Sequence, residues 1–396
     1  MKSSKIMFIG AVILALWITY AYSHSITIAY GITELLIFSM CFFYIIKNLA
    51  LIERNIMIIF LLFLYLSFGS AIVSMNIKSV VLLSISIIIP FALAVMKISF
   101  KDEKEGAVLG LSVGVLFLFA QEYFGIMGTI SSMGNGINSN TYGFLCFMIA
   151  SLGICAFRKE RIFWKKVFIG LLIASACYFG MVTGTRNVII VTFICLILIF
   201  LPEKIYRNKS VYRSIYIIVL LYILFSGNFI AKIFENNQLG SFITFLTEDF
   251  SNKSWGMESR ADYLFLIRDR FNQYNIFCKI FGIGEKAVHA HNLFNQLLLT
   301  YGYFGTFLIG YIYVYIYEKA YILIKYKKDR FVTGIFIALI GLFLLNGADV
   351  FIAGAESCSI IPQFLMGIIM CKYRYYKKSK KILGGRYVFE YNYSHI

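Results

Sequence analysis

Along almost the whole chain, apolar runs of roughly 17–25 residues alternate with short polar breaks, and each run can cross ~30 Å of hydrocarbon as a helix. Lipid offers no partner to an open backbone N–H or C=O, so a spanning segment is a helix or a strand of a closed barrel. These runs are too long for barrel strands. The pattern predicts an all-α membrane protein, a bundle of about 12 transmembrane helices with one long extracytoplasmic loop. The spans fall at roughly 6–22, 26–46, 56–75, 79–96, 106–124, 140–157, 167–183, 188–201, 214–231, 303–324, 331–346 and 352–371. The eighth is short, and the tenth is expected to begin as a tilted interfacial helix near Asn292. One polar stretch, about residues 232–290, is much longer than any other break and ends in His289-Ala290-His291-Asn292. Four regions follow: helices 1–9 over 1–231, the long loop with helices of its own over 232–290, helices 10–12 with the histidine segment over 291–371, and a basic cytoplasmic tail over 372–396.

Composition sharpens this picture. The chain is 60% hydrophobic and 14% charged, with a mean hydropathy of +0.78. A soluble domain is nearer ~45–50% apolar and ~25% charged. The formal charge of +17 would suggest nucleic acid on a soluble surface. Its distribution points elsewhere: with both termini in the cytoplasm, 28 of the 37 lysines and arginines fall on the inner side. The short outer turns carry only Lys78 and Arg186, and the long loop balances seven basic with seven acidic residues. Of eight cysteines only Cys278 lies in the long loop, and no Cys-x-x-Cys appears, so no disulfide framework is expected. The first run ends at Ala21-Tyr22-Ser23-His24 without a small-residue cleavage site and is read as the first span, not a removed signal. No internal repeat signals two transporter halves.

The long loop thus faces away from the cytoplasm, where there is neither ATP nor a nucleotide-sugar pool. A reaction there needs a substrate that arrives activated, and lipid-linked pyrophosphates are the obvious supply. Arg186, in Thr183-Gly184-Thr185-Arg186-Asn187, is expected at the outer tip of a tight hairpin. Outer turns avoid basic residues, so one here suggests an anion gripped by the planar guanidinium. A contact with ordinary headgroups, or a helix-cap partner, fits the same position. Two of the four histidines are His289 and His291. A neutral imidazole can take the proton of a hydroxyl. With a helix starting at about His291, Asn295 shares its face one turn along, where its amide would orient the base or bind a sugar hydroxyl. Histidines decorating a loop end are the plainer alternative. His-x-His also suggests metal, but no carboxylate or cysteine sits at a persuasive spacing, so neither metal nor other cofactor is expected.

Arg260, in Met257-Glu258-Ser259-Arg260-Ala261-Asp262, is by spacing equally a helix-surface partner of Glu258 or Asp262. Glu34, Glu122, Asp349 and Glu356 fall in apolar spans, where ionisable groups are costly and therefore suggest function. Asp349 would face a shared outer cavity, whereas Glu122, near an outer end, reaches water. Gly302 and Gly305 are expected to allow close helix packing. The segment 125–140, uncharged and rich in Gly, Ser and Asn, is expected to form no regular helix.

Several of these segments together resemble a known family. His291-Asn292, an apolar-rich stretch and then Gly302-x-x-Gly305 resemble the signature of the bacterial O-antigen polymerase and O-antigen ligase superfamily. Thr183-Gly184-Thr185-Arg186 resembles its small-residue-then-arginine turn. Asn138-Ser139-Asn140 resembles its Asn-x-Asn turn, and Gly282-Ile283-Gly284 before the histidine fits too. The likeness runs from about residue 125 to 370; the first 120 residues match only as apolar spans.

The resemblance implies a glycosyltransferase of the bacterial plasma (inner) membrane, with its active site extracytoplasmic. Its donor would be an undecaprenyl-pyrophosphate-linked oligosaccharide and its acceptor a growing glycan or another sugar. Membrane lipids and a chain-length regulator would be further partners. The family's essential histidine maps onto His291, its turn arginine onto Arg186, and its Ser-Arg onto Ser259-Arg260. Where the family commonly has an aromatic, often Trp, a few residues later, this chain has Tyr263 or Phe265. In the implied chemistry His291 takes the acceptor hydroxyl proton while Arg186 and Arg260 hold the departing pyrophosphate. The displacement is one-step, inverting and metal-independent. Asn138, Asn140, His289, Asn295 and Asp349 are the expected further substrate contacts. The leading expectation is a repeat-unit polymerase of the Wzy type, for O-antigen or capsule. The alternative is an O-antigen ligase that transfers glycan to lipid A-core or another surface acceptor. A lipid-linked oligosaccharide flippase is the alternative of another class; it would carry charges along a central cavity and pseudo-symmetric halves.

Overall fold

A computed structural model of the chain describes residues 2–24, 26–54, 56–62, 64–65, 88–126, 130–131, 137–182, 186–221, 269, 271–283, 293–345 and 360–382. Among them the helices dominate: α1 (Ser4–Ser23), α2 (Thr27–Lys47), α3 (Glu103–Phe124), α4 (Ser139–Lys159), α5 (Phe163–Val182) and α6 (Arg186–Phe200), then α7 (Glu203–Arg207), α8 (Ile276–Phe281), α9 (Leu293–Tyr326), α10 (Arg330–Leu345) and α11 (Ile360–Ile382). Further helical stretches cover 56–62, 88–95 and 209–221. The exceptions are two parallel two-residue pairings, Lys2–Ser3 with Ile98–Ser99 and Ile130–Ser131 with Ile137–Asn138. Five helices (α1, α3, α4, α5 and α9) are long and apolar enough to cross a membrane, and α10 and the 190–200 part of α6 are shorter apolar helices.

Local chemistry sets the helix ends. α3 opens with Glu103 and Glu105, negative charge at the positive end of the helix dipole. It closes at Gly125, whose φ of 58° is left-handed and whose N–H bonds to the Gln121 carbonyl at 2.9 Å. α4 ends in Arg158 and Lys159, the complementary arrangement. Asp329 caps α10, its Oδ1 accepting from the Phe331 and Val332 N–H groups at 3.0 and 3.2 Å.

α4 is the centre of the bundle. It packs on α3, α5, α6 and α10, and every residue from Phe144 to Ala156 is buried. Between helices in lipid the hydrophobic drive is weak, so close van der Waals contact must hold them together. Glycines supply that closeness: a Cβ on Gly334 of α10 would lie 2.5 Å from the Cys155 Cα of α4. The outward surface is apolar instead, with Met40, Leu116, Leu171, Phe193 and Phe307 exposed. This inversion of a soluble surface marks a membrane-embedded protein.

One end of the bundle is knotted by charge. Lys372 of α11 lies 2.6 Å from Glu103 Oε2 and 2.7 Å from Asp329 Oδ2, and Lys159 of α4 lies 2.7 Å from Glu103 Oε1. The Lys372 ammonium also sits over the Phe331 and Phe100 rings, 5.2 and 5.3 Å from their centroids. Beside this knot Lys104 pairs with Glu160 at 2.9 Å. Arg158 bonds the Ile199 carbonyl, closing the end of α6, and Glu203 Oε1, each at 2.6 Å.

One boundary differs from expectation. The last span was expected at 352–371, but the helix runs from Ile360 to Ile382, so the expected start of the tail falls inside it. The basic run there does not stop the helix, because Lys372 is neutralised by two carboxylates and Lys377 by Glu53 at 2.7 Å. The tenth helix starts at Leu293, beside the expected interfacial start near Asn292, with a break at Gly302 just before the expected span.

Candidate functional site

The charge knot fixes the polarity of the helices. α3 and α10 begin at it, α4 ends at it, and α6 ends beside it. The starts of α4 and α6 therefore lie at the opposite end, and so does the Gly302 break of α9, whose last residue, Tyr326, comes three before Asp329. Three candidate segments meet that end. Asn138 closes a two-residue strand pairing, and Asn140 is in the first turn of α4. Arg186 is the first residue of α6, four positions after α5 ends at Val182. Gly180 of α5 draws the first two together: a Cβ there would lie 3.2 Å from both Cys146 Cβ of α4 and Val188 Cγ1 of α6. α4 and α6 thus meet the same point of α5, six residues after Asn140 on the one and two after Arg186 on the other. The segment 125–140 is non-helical at each described position before Ser139, as expected.

Asn295 is in the first turn of α9, which reaches the α4–α6 group through α10. His289, His291, Arg260, Asp349 and Glu356 lie outside the described residues. Glu34 is buried and Glu122 is exposed, so only Glu34 keeps the buried setting that made its charge notable.

A reciprocal glycine contact holds the chain on both sides of residues 284–292. α8 is capped at its start by Asn275, whose Oδ1 accepts from the Cys278 N–H at 2.8 Å, and it closes on Gly282 at φ 81°. Gly302, at φ 64°, breaks α9. A Cβ on Gly282 would fall on the Thr300 carbonyl group, and one on Gly302 would fall on the Ile280 carbonyl and 2.6 Å from the Gly282 nitrogen. Neither position admits another residue without displacing backbone. The Ile283 N–H donates to the Leu299 carbonyl at 2.8 Å, and Thr306 Oγ1 donates to the Gly302 carbonyl at 2.6 Å beyond the break. The close approach expected at Gly302 is present, but its partner is the end of α8 and its turn, not a neighbouring long helix. The segment that carries His289 and His291 accordingly leaves from Ile283 and re-enters at Leu293 of one packed unit.

That unit contains a cavity of about 190 Å³, lined by Phe271, Asn272, Phe294, Asn295, Leu298, Leu299 and Tyr303. Phe294 and Leu298 form one helical row of α9, and Asn295 and Leu299 the next. Phe271 is buried against Leu299, and its ring meets Tyr303 edge-on at 5.4 Å. Asn295 is 5% exposed. Sequence reasoning singled out Asn295 but missed Phe271 and Asn272, which belong to no motif and are brought in only by the fold. The cavity offers aromatic surface and amide groups that both donate and accept hydrogen bonds.

No protein-family model matches the chain, and neither does any curated protein.

Proposed function

We propose that the protein is a polysaccharide repeat-unit polymerase: a glycosyltransferase with about twelve spans, both termini cytoplasmic, that transfers an undecaprenyl-pyrophosphate-linked oligosaccharide onto an acceptor sugar hydroxyl. His291 is the base. Arg186 and Arg260 hold the pyrophosphate, whose departure needs no general acid. The observation that carries this reading is the gathering of helix starts at one end of the bundle. Asn140 and Arg186 each open a helix there, away from the Glu103–Lys372 knot, and Asn295 comes shortly before the Gly302 break of α9 at the same end. Arg186 opens α6 four positions after α5 ends at Val182, between two apolar helices, a place where a lipid-borne diphosphate can be met at the rim while its tail stays in hydrocarbon.

The test is incubation of purified protein with defined lipid-linked repeat units. A ladder of lengthening products is expected. Transfer to a different lipid acceptor alone would make the protein a ligase. No transfer, with lipid-linked units moved between leaflets instead, would make it a flippase.

A further inference from the structure

We propose that the cavity between the Phe271–Asn272 segment and the start of α9 is a subsite for one sugar ring of the acceptor glycan; this rests on the glycosyltransferase reading above. The cavity is built by the fold. The Gly282–Gly302 contact clamps α8 onto α9, and this seats Phe271 against Leu299 and beside Tyr303. Asn272, exposed, and Asn295, almost wholly buried, line the same space. A pyranose has apolar C–H faces and polar hydroxyl edges. Aromatic rings cover the first, and amides, with both donor and acceptor groups, match the second. A prenyl tail fits less well, because it would strip water from the exposed Asn272 amide without replacing those hydrogen bonds. Position matters too: Asn295 follows His291, the proposed base, by four residues in the sequence.

The substitutions that test this are Asn272→Ala and Tyr303→Ala. Both residues are exposed, so truncation leaves the core intact. The probes are the free oligosaccharide released from lipid-linked repeat units, and undecaprenyl phosphate, which carries no sugar. Binding of each to the detergent-solubilised full chain is read by saturation-transfer NMR. We expect the wild type to transfer saturation to ring protons of the free oligosaccharide. Each variant should weaken that binding about tenfold, with undecaprenyl phosphate binding unchanged. Equal oligosaccharide binding in wild type and variants, or none in wild type, would overturn the subsite. A loss confined to undecaprenyl phosphate would overturn it in favour of a tail site. The ladder assay separates the two claims: a wild type that binds the oligosaccharide but forms neither ladder nor ligation product keeps the subsite and rejects the transferase. One that elongates while the variants bind normally rejects the subsite alone.

Discussion

The two ends of this bundle are built on different principles. At one end Glu103, Lys159, Asp329 and Lys372 tie the ends or flanks of α3, α4, α10 and α11 through ion pairs of 2.6–2.7 Å, with Lys372 and Glu103 almost wholly buried. At the other end no ion pair is found among the described residues, and the segments meet at glycines, Gly180 against Cys146 of α4 and Val188 of α6, and Gly282 against Gly302. The knot end has such contacts too, at Gly334 and Cys155, but adds the charges. Buried charges that depend on one another tolerate little change. Contacts through glycine fix backbone geometry and leave side chains free for other work. The comparison sets an end whose buried charges depend on one another against an end whose described segments meet without them.

The sharpest break of that comparison is functional. His291→Ala should abolish chain growth, and Arg186→Lys should remove most of it because an ammonium lacks the planar fork. Neither should lower protein levels or the unfolding midpoint. Polymer of wild-type length from either variant on a gel of surface glycan would remove its residue from the mechanism.

Next in size is the cost of opening the knot. Lys372→Met leaves the buried Glu103 and the partly buried Asp329 without their shared cation and should cost about 3 kcal/mol. Lys377→Met removes a partner of Glu53 whose own side chain is 61% exposed, and should cost no more than ~1 kcal/mol. Thermal unfolding in detergent compares them, and equal midpoints would mean that the knot carries no special share of stability. Gly302→Ala should cost about 2–3 kcal/mol, since both φ and the neighbouring backbone forbid a Cβ. It should also slow chain growth more than the lost stability explains, a difference visible at a temperature where the variant is fully folded.

The smallest effect is a titration. Burial pushes the Glu160 carboxyl up, but the Ile162 N–H, Lys104 and the Arg161 N–H outweigh it and hold it down to about 2. A carboxylate held low stabilises the fold above its ordinary value of 4.5, and that contribution fades as pH falls toward about 2. Between those limits the midpoint of the wild type should fall more steeply than that of Glu160→Gln. Parallel curves would show that the carboxylate is no better held in the fold than in the open chain.

Much of the architecture was legible because lipid leaves few options. Runs at 6–22, 106–124 and 140–157 became helices within a few residues of the expected limits. The start of α6 within two residues of the expected 188 and the early start of the tenth helix near Asn292 were also readable. The charge knot was not readable. Glu103 and Asp329 look like ordinary helix starts, and Lys372 looks like the first residue of a basic tail; their pairing joins positions 43 and 269 residues apart. Gly302 was readable as a site of close approach, but its partner Gly282 could be named only once α8 lay against α9. Phe271 and Asn272 were hidden for the same reason: a cavity wall contributed from across a loop leaves no local pattern.

The account requires the two ends to face opposite sides of a membrane, with the knot inside and residue 291 outside. Single cysteines at positions 291 and 377, in a background that lacks Cys278, can be probed in intact cells or, for an outer-membrane host, spheroplasts with a membrane-impermeant maleimide. The account predicts modification at 291 without lysis and at 377 only after lysis. Protection at 291 with ready modification at 377 would contradict it.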